Sequence, residues 1–362
     1  MSWLLAFAGF AALVILHEFG HFAAAKAVGM RVERFFLFFP PKIASFTRGE
    51  TEYGVGWIPL GGFVKITGMN PDEELPEEVA ARGYYAQPVW KRIVVIGAGP
   101  AVNLLIAFVI LFFLAFGAQK VSDRVDEIIP GSPAAAQLQP GDQVLAVDGK
   151  RFEERSHAGQ LSAFAHQVAS HECAGEPTQD CRAATPAKVT VVRDGQTLTL
   201  SMRPEYDEQL DRTRLGFAYG TEAINPGPGE AATRSLDGMW QVTSSTLSTI
   251  GQIFNAEKRE EISSIVGGYE VTRQAIEFDS RRALTLLAFI SLSLAIINLF
   301  PFLPLDGGHI FWSIVEKVRG RPVSFQVMER ASVLGFVLVL MLFAVGLSND
   351  IGRLTGEGFN VR

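Results

Sequence analysis

The run Leu16-His17-Glu18-Phe19-Gly20-His21 places two histidines four residues apart, with a glutamate beside the first. On a helix, four residues turn the chain about 400°, so both imidazoles project from one face. Two imidazoles so placed can bind one Zn2+, and a glutamate next to the metal can act as general base on a water. Short H-E-x-x-H matches arise by chance in soluble chains. Here, however, three ionisable groups interrupt an apolar stretch, where such groups are costly and mark a functional site by default. Two imidazoles alone make a loose site, so a third ligand is expected. Asp306 is preferred, in Asn298-Leu-Phe-Pro301-Phe-Leu-Pro304-Leu-Asp306-Gly-Gly. The two prolines must end or break the preceding helix, freeing the carboxylate to turn inward. His309 is the rival ligand. Without HEFGH, an ordinary turn aspartate before Gly-Gly would be the better reading of Asp306.

The elements that must position these residues are membrane helices. Hydrophobic residues make up 48% of the 362-residue chain and charged residues 19%, against roughly 25% charged in soluble proteins. That excludes a fully soluble, disordered or fibrous protein. Four stretches are long enough to span a bilayer: about 1–29, Ile93–Ala118, Ala283–Leu303 and Ala331–Leu347. The second carries Asn103 as its one polar side chain, and the fourth carries no charge. Lys and Arg concentrate in the loops after spans one and three, which places those loops in the cytoplasm. The N-terminus, residues 119–282 and the C-terminal tail then lie outside, with the active site toward the cytoplasmic side. Arg281 and Arg282 count against this orientation. The net charge of -6 comes with no basic tract, so no nucleic acid is expected as a partner.

Four regions are expected. Residues 1–118 form a membrane core with the HExxH helix, a β-loop and the second span; 119–205 form a β-rich domain. Residues 206–282 form an extracytoplasmic amphipathic linker, and 283–362 carry the last two spans. In the β-rich part, Val125–Pro130 and Gln143–Val147 read as strands, and Arg193-Asp194-Gly195-Gln196 as a hairpin turn between two more. A polar insertion between Arg155 and Pro186 holds Cys173 and Cys181, on the side where disulfides persist, so a bridge between them is expected. His157, His166 and His171 nearby are expected to be solvated. Glu52–Gly68 alternates, is rich in glycine and β-formers, and reads as a β-hairpin or ribbon able to dip into the bilayer.

The run IIPGSPAAAQLQPGDQVLAVDG resembles the core of bacterial PDZ domains, which bind extended peptides at an open sheet edge. HEFGH in the first span, PLDG after the third and the PDZ-like domain between them together resemble a known family. It is the site-2 protease family of intramembrane zinc metalloproteases, of the bacterial regulator-of-sigma-E protease type. The resemblance runs through essentially the whole chain. It implies His17, His21 and Asp306 as ligands of one zinc per chain, Glu18 as base and Asn298 as a catalytic, substrate-facing amide. It also implies that Gly61, Gly62, Phe63 and Val64 engage the substrate as an added strand. GPAVN, Gly99–Asn103, matches a second-span motif and reads as a helix-packing site. Better-known members carry two PDZ domains; one is legible here.

The fold expected is therefore a polytopic α-helical membrane protein of four transmembrane helices, with a membrane-associated β-hairpin and an extracytoplasmic PDZ-like domain. It is expected in the bacterial inner membrane. The expected activity is zinc-dependent cleavage, in the bilayer, of transmembrane segments of pre-trimmed single-span proteins such as anti-sigma factors or remnant signal peptides. A site-1 protease is the expected upstream partner, and a peptide the expected ligand of the PDZ-like domain. The rivals are a membrane metal transporter and a catalytically inactive PDZ scaffold. Transport predicts polar residues along several spans, which spans two and four lack. An inactive scaffold predicts loss of the glutamate, which is present.

Overall fold

The computed structural model describes residues 1–70, 73–151, 157–179, 181–208, 210–252 and 263–356. The chain divides into two compact units, one of Met1–Ala115 with Gly227–Arg362 and one of Phe116–Pro226.

The first unit opens with helix α1 (Ser2–Ala27), strands β1 (Val32–Arg48) and β2 (Thr51–Ile66), the single turn α2 (Glu77–Ala80) and helix α3 (Val89–Ala115). It resumes with α5 (Pro228–Gly251), α6 (Ile265–Phe278), α7 (Ser280–Asn298), α8 (Asp306–Arg319) and α9 (Phe325–Thr355). Among the described residues, four helices, α1, α3, α7 and α9, are long and apolar enough to cross a membrane. They match the four expected spans with shifted ends. Helix α3 stops three residues early because Gly117 turns with φ +70° into a strand. Helix α7 stops at Asn298 rather than Leu303, since Pro301 cannot supply the N–H of a continuing turn. Helix α9 runs past Leu347, because Asp350 is not the polar end it resembles. It is fully buried and accepts hydrogen bonds from Ser264 N (2.7 Å), Gly267 N (2.9 Å) and Ser263 Oγ (2.7 Å). Those are orphan donors at the start of α6, so α9 caps α6 from outside.

The ribbon departs from expectation. Residues 52–68 do not pair with themselves, and Val32–Arg48, unread as a strand, supplies the partner for both halves. Arg34–Leu37 pairs antiparallel with Gly62–Lys65 on one side and runs beside Glu52–Val55 on the other. Ala44–Arg48 pairs back onto Thr51–Val55 through the turn at Gly49 (φ +64°). The result is four short segments in the order 62–65, 34–37, 52–55, 44–48. Val32 and Ile66 are buried with Met30, Tyr84 and Val95, which fixes this sheet against α1 and α3.

The second unit continues in chain order with β3 (Ala118–Ile128), β4 (Gln143–Val147), β5 (Lys150–Arg151), α4 (His157–Ala169), β6 (Ala187–Arg193), β7 (Gln196–Met202), β8 (Glu205–Asp207), β9 (Arg212–Arg214) and β10 (Phe217–Ile224). The main sheet has the order β10-β3-β4-β6-β7, with β5 beside β4. Strand β6 shows the period-2 logic: Ala187, Val189 and Val191 are fully buried while Lys188 faces out. The hairpin at Asp194-Gly195 forms as expected, with β6 pairing β7 from Ala187↔Met202 to Arg193↔Gln196. Residue 205 is not the end of this unit, because β10 returns to pair with β3 and carries the boundary to Pro226. Residues 152–156, at the start of the expected insertion, and the side chain of His157 lie outside the described residues. The Sγ atoms of Cys173 and Cys181 are bonded, with Cα atoms 6.2 Å apart. His171 is not freely solvated: Nε2 lies 2.8 Å from Asp148 Oδ2 and Nδ1 2.8 Å from Thr185 Oγ1.

Candidate metal centre

Both histidines of HEFGH are buried on one face of α1, as a four-residue spacing on a helix requires. Their Nε2 atoms lie 3.3 Å apart. Asp306, the first residue of α8, brings Oδ2 to 3.2 Å from His17 Nε2 and 3.3 Å from His21 Nε2. The tight turn before α8 delivers this carboxylate: a Cβ on Gly308 would stand 2.5 Å from Leu303 N, so only glycine lets the helix start there. His309 is not in this cluster. It lines a separate cavity with Tyr84, Arg92, Ser313 and Glu316.

The donor set fits a tetrahedral zinc ion. Zn–N and Zn–O distances of about 2.0 Å require ligand atoms about 3.3 Å apart, which is the spacing seen on all three edges. His21 Nδ1 lies 2.9 Å from Val95 O, so that nitrogen carries the proton and Nε2 presents a lone pair inward. Asp306 Oδ2 is buried and makes no hydrogen bond. An unpartnered carboxylate oxygen converging with imidazole lone pairs is stabilised by a cation and by little else.

Helix α3 forms the back wall. A Cβ on Gly99 would meet His21 Nε2 at 2.3 Å and His17 Cε1 at 2.9 Å, so glycine here is the space the imidazoles occupy. Asn103, fully buried on the same face, brings its side-chain nitrogen Nδ2 to 3.1 Å from His17 Nδ1, while its Oδ1 is buried and makes no hydrogen bond. This residue was read from sequence as a packing position. Nothing in the sequence of α3 signals its tie to His17, which lies 86 positions away.

Glu18 sits beside the cluster, partly buried, with its side chain against the ribbon. A Cβ on Gly62 would stand 3.0 Å from Glu18 Cγ, so the ribbon edge lies directly against the base. Of the other expected substrate-contacting residues, Gly61 (φ +151°) begins this edge segment and Phe63 stacks on Phe36. Asn298 is the last residue of α7, partly buried, one proline-bearing turn ahead of Asp306.

Residues 5–342 match the family model described as Peptidase family M50. A Brucella suis protein named "Putative zinc metalloprotease" is 30% identical over 94% of this chain and 92% of its own length. A protein of the same name from Clostridium perfringens is 29% identical over 97% and 98% of the two chains. The Regulator of sigma-E protease of Salmonella typhimurium is 28% identical over 94% of this chain and 96% of its own. That last alignment runs over 436 positions, so the Salmonella protein carries sequence that this 362-residue chain lacks. A helix-borne HExxH joined to a distant carboxylate, four apolar helices and a match through nearly the whole length lead to one assignment: this chain belongs to peptidase family M50, the site-2 protease family, and is a membrane zinc metalloprotease.

Proposed function

We propose that the protein is an intramembrane endopeptidase that cuts transmembrane segments of single-span proteins already shortened on the outer face, with one zinc held by His17, His21 and Asp306. The observation that carries this reading is the contact of Glu18 with the ribbon edge at Gly62–Val64, beside the three ligand atoms. A base, a metal cage and an open strand edge then meet at one point.

A helical substrate hides its carbonyls in its own hydrogen bonds, so it must unwind before water can attack. Unwound backbone in a bilayer needs new partners, and the edge of residues 62–66 supplies them by strand addition. When bound, zinc supplies Lewis acidity toward the water and the scissile carbonyl. Glu18 takes the proton of the attacking water and passes it to the leaving amine. Asn298 donates to the substrate backbone or to the developing oxyanion. The basic loops after spans one and three support an active site facing the cytoplasm and an extracytoplasmic β-rich unit. That unit is read as PDZ-like, taking a peptide, and an outer-face site-1 protease supplies the trimmed substrate. Anti-sigma factors are one substrate class, in keeping with the Salmonella relative's name as a regulator of sigma-E, and remnant signal peptides are the second, on the family resemblance.

The test is Glu18→Gln in the full chain, purified in detergent. It should keep about one zinc per chain, lose cleavage of a single-span substrate, and hold that substrate in a complex recoverable by crosslinking. Undiminished cleavage would remove Glu18 from its role, and absence of zinc from the native chain would remove the cage.

A further inference from the structure

Two residues touch the outer nitrogens of the two imidazoles, and both lie on one stripe of α3. Val95, Gly99 and Asn103 are spaced by four, so they stack on one helix face. The carbonyl of Val95 fixes His21, Gly99 leaves the room, and Asn103 meets His17. Asn103 is itself held, since Ser291 Oγ of α7 donates to its backbone carbonyl at 2.9 Å.

A carboxamide can present either its oxygen or its nitrogen, and the two choices impose opposite tautomers on His17. With the nitrogen toward His17, Nδ1 must accept, and neutral His17 then carries its proton on Nε2. That N–H would point at His21 Nε2 and Asp306 Oδ2, 3.3 and 3.2 Å away, in the middle of the ligand set. With the carboxamide turned over from the orientation in the structure, so that its otherwise unpartnered oxygen faces His17, Nδ1–H donates and Nε2 is free to ligate. The second choice gives His17 the same arrangement that the Val95 carbonyl gives His21.

We propose that Asn103 is the positioning residue for His17: its side-chain oxygen accepts Nδ1–H and thereby commits Nε2 to the metal. The stripe 95/99/103 of α3 then sets the tautomers of both ligands while touching no metal itself. This rests on the metal reading of the site, and the two fail differently.

The experiment measures zinc affinity of the full chain in detergent by competition with a chelator of known affinity. Asn103→Leu preserves size and removes the acceptor; it should weaken zinc binding by about 10- to 100-fold, the usual cost of losing a ligand's outer partner. Asn103→Asp keeps an acceptor in place and should stay within about threefold of the native chain on the same scale. A residue that merely packs two helices predicts the reverse order, because leucine packs well there and a buried carboxylate does not. Native-like affinity in Asn103→Leu, or a loss in Asn103→Asp as large as in Asn103→Leu, overturns the proposal. Should either variant misfold, nitrogen-15 NMR of the zinc-loaded native chain decides: both zinc-bound imidazoles should ligate through Nε2 and carry a proton on Nδ1. A zinc-bound histidine with a bare Nδ1 overturns it equally. If the native chain holds no zinc, it is the metal reading that has failed.

Discussion

At the scale of single residues, Gly99 sets the sharpest constraint. Any side chain there needs the volume already held by His21 and His17, and a helix backbone cannot retreat from one methyl without losing its packing. Gly99→Ala should therefore abolish stoichiometric zinc, read by metal analysis, while the circular dichroism of a helical protein persists. Changing both His17 and His21 to Ala should do the same by removing two ligands. The convergence of His17 and His21 is legible in the sequence because its signal is local: a fixed spacing on one helix, in an apolar run that penalises idle charge. Asp306 was legible because prolines announce where a helix must stop. Asn103 was legible only as a small polar break in α3. Its partner is 86 positions away, and no pattern within α3 reports which atom of α1 it will meet.

At the scale of elements, α8 must hold Asp306 Oδ2 at 3.2 and 3.3 Å from two imidazoles on α1. Its far end is pinned by Arg92 of α3, which is 3% exposed and grips Glu316 through two hydrogen bonds of 2.9 and 2.5 Å. Removing one partner of such a pair strands the other. Because a fifth of the Glu316 side chain remains exposed, the cost should sit near the lower end of the range for buried pairs, about 3 kcal/mol. Arg92→Met should lower the thermal midpoint in detergent and weaken zinc binding, and Arg92→Met with Glu316→Leu should recover most of the midpoint. The ribbon gives a second case. Val64→Pro removes a backbone donor of the strand segment beside Glu18; cleavage should fall with every substrate while zinc is retained. Strand β1 escaped the sequence reading because Phe38-Phe39-Pro40-Pro41 breaks alternation in its middle. Its strand character comes from being clasped by both halves of β2, which is a tertiary fact.

At the scale of the whole molecule, the two units should respond to different perturbations. In the second unit, the Arg193 guanidinium holds the buried Asp142 carboxyl below its usual range, by hydrogen bonds of 2.8 and 2.7 Å. The pKa is depressed in the folded state, so the stabilisation is present above the ordinary carboxylate range. It is lost as pH falls through that range toward the folded value. Thermal midpoints measured from pH 6 downward should show an acid limb that Asp142→Asn flattens, with zinc content at pH 6 unchanged. Reducing the Cys173–Cys181 bridge, a separation of eight residues, should cost at most about 2.5 kcal/mol by loop entropy. It should leave zinc occupancy intact, as read by metal analysis after mild reduction. The sequence signalled both units, but not their seam at Pro226, since β10 declares its allegiance only through its pairing with β3.

The proposed metal cage draws its ligands from α1 and the start of α8, so its last member is supplied near the end of the chain. During synthesis, the nascent protein holds two of the three proposed ligands, His17 and His21, long before the third. A cage closed by Asp306 cannot exist before that residue has left the exit tunnel and the prolines ahead of it have turned the chain back. On this reading the order of translation acts as a safety catch: the segment bearing Glu18, the proposed base, is made long before the proposed cage can close.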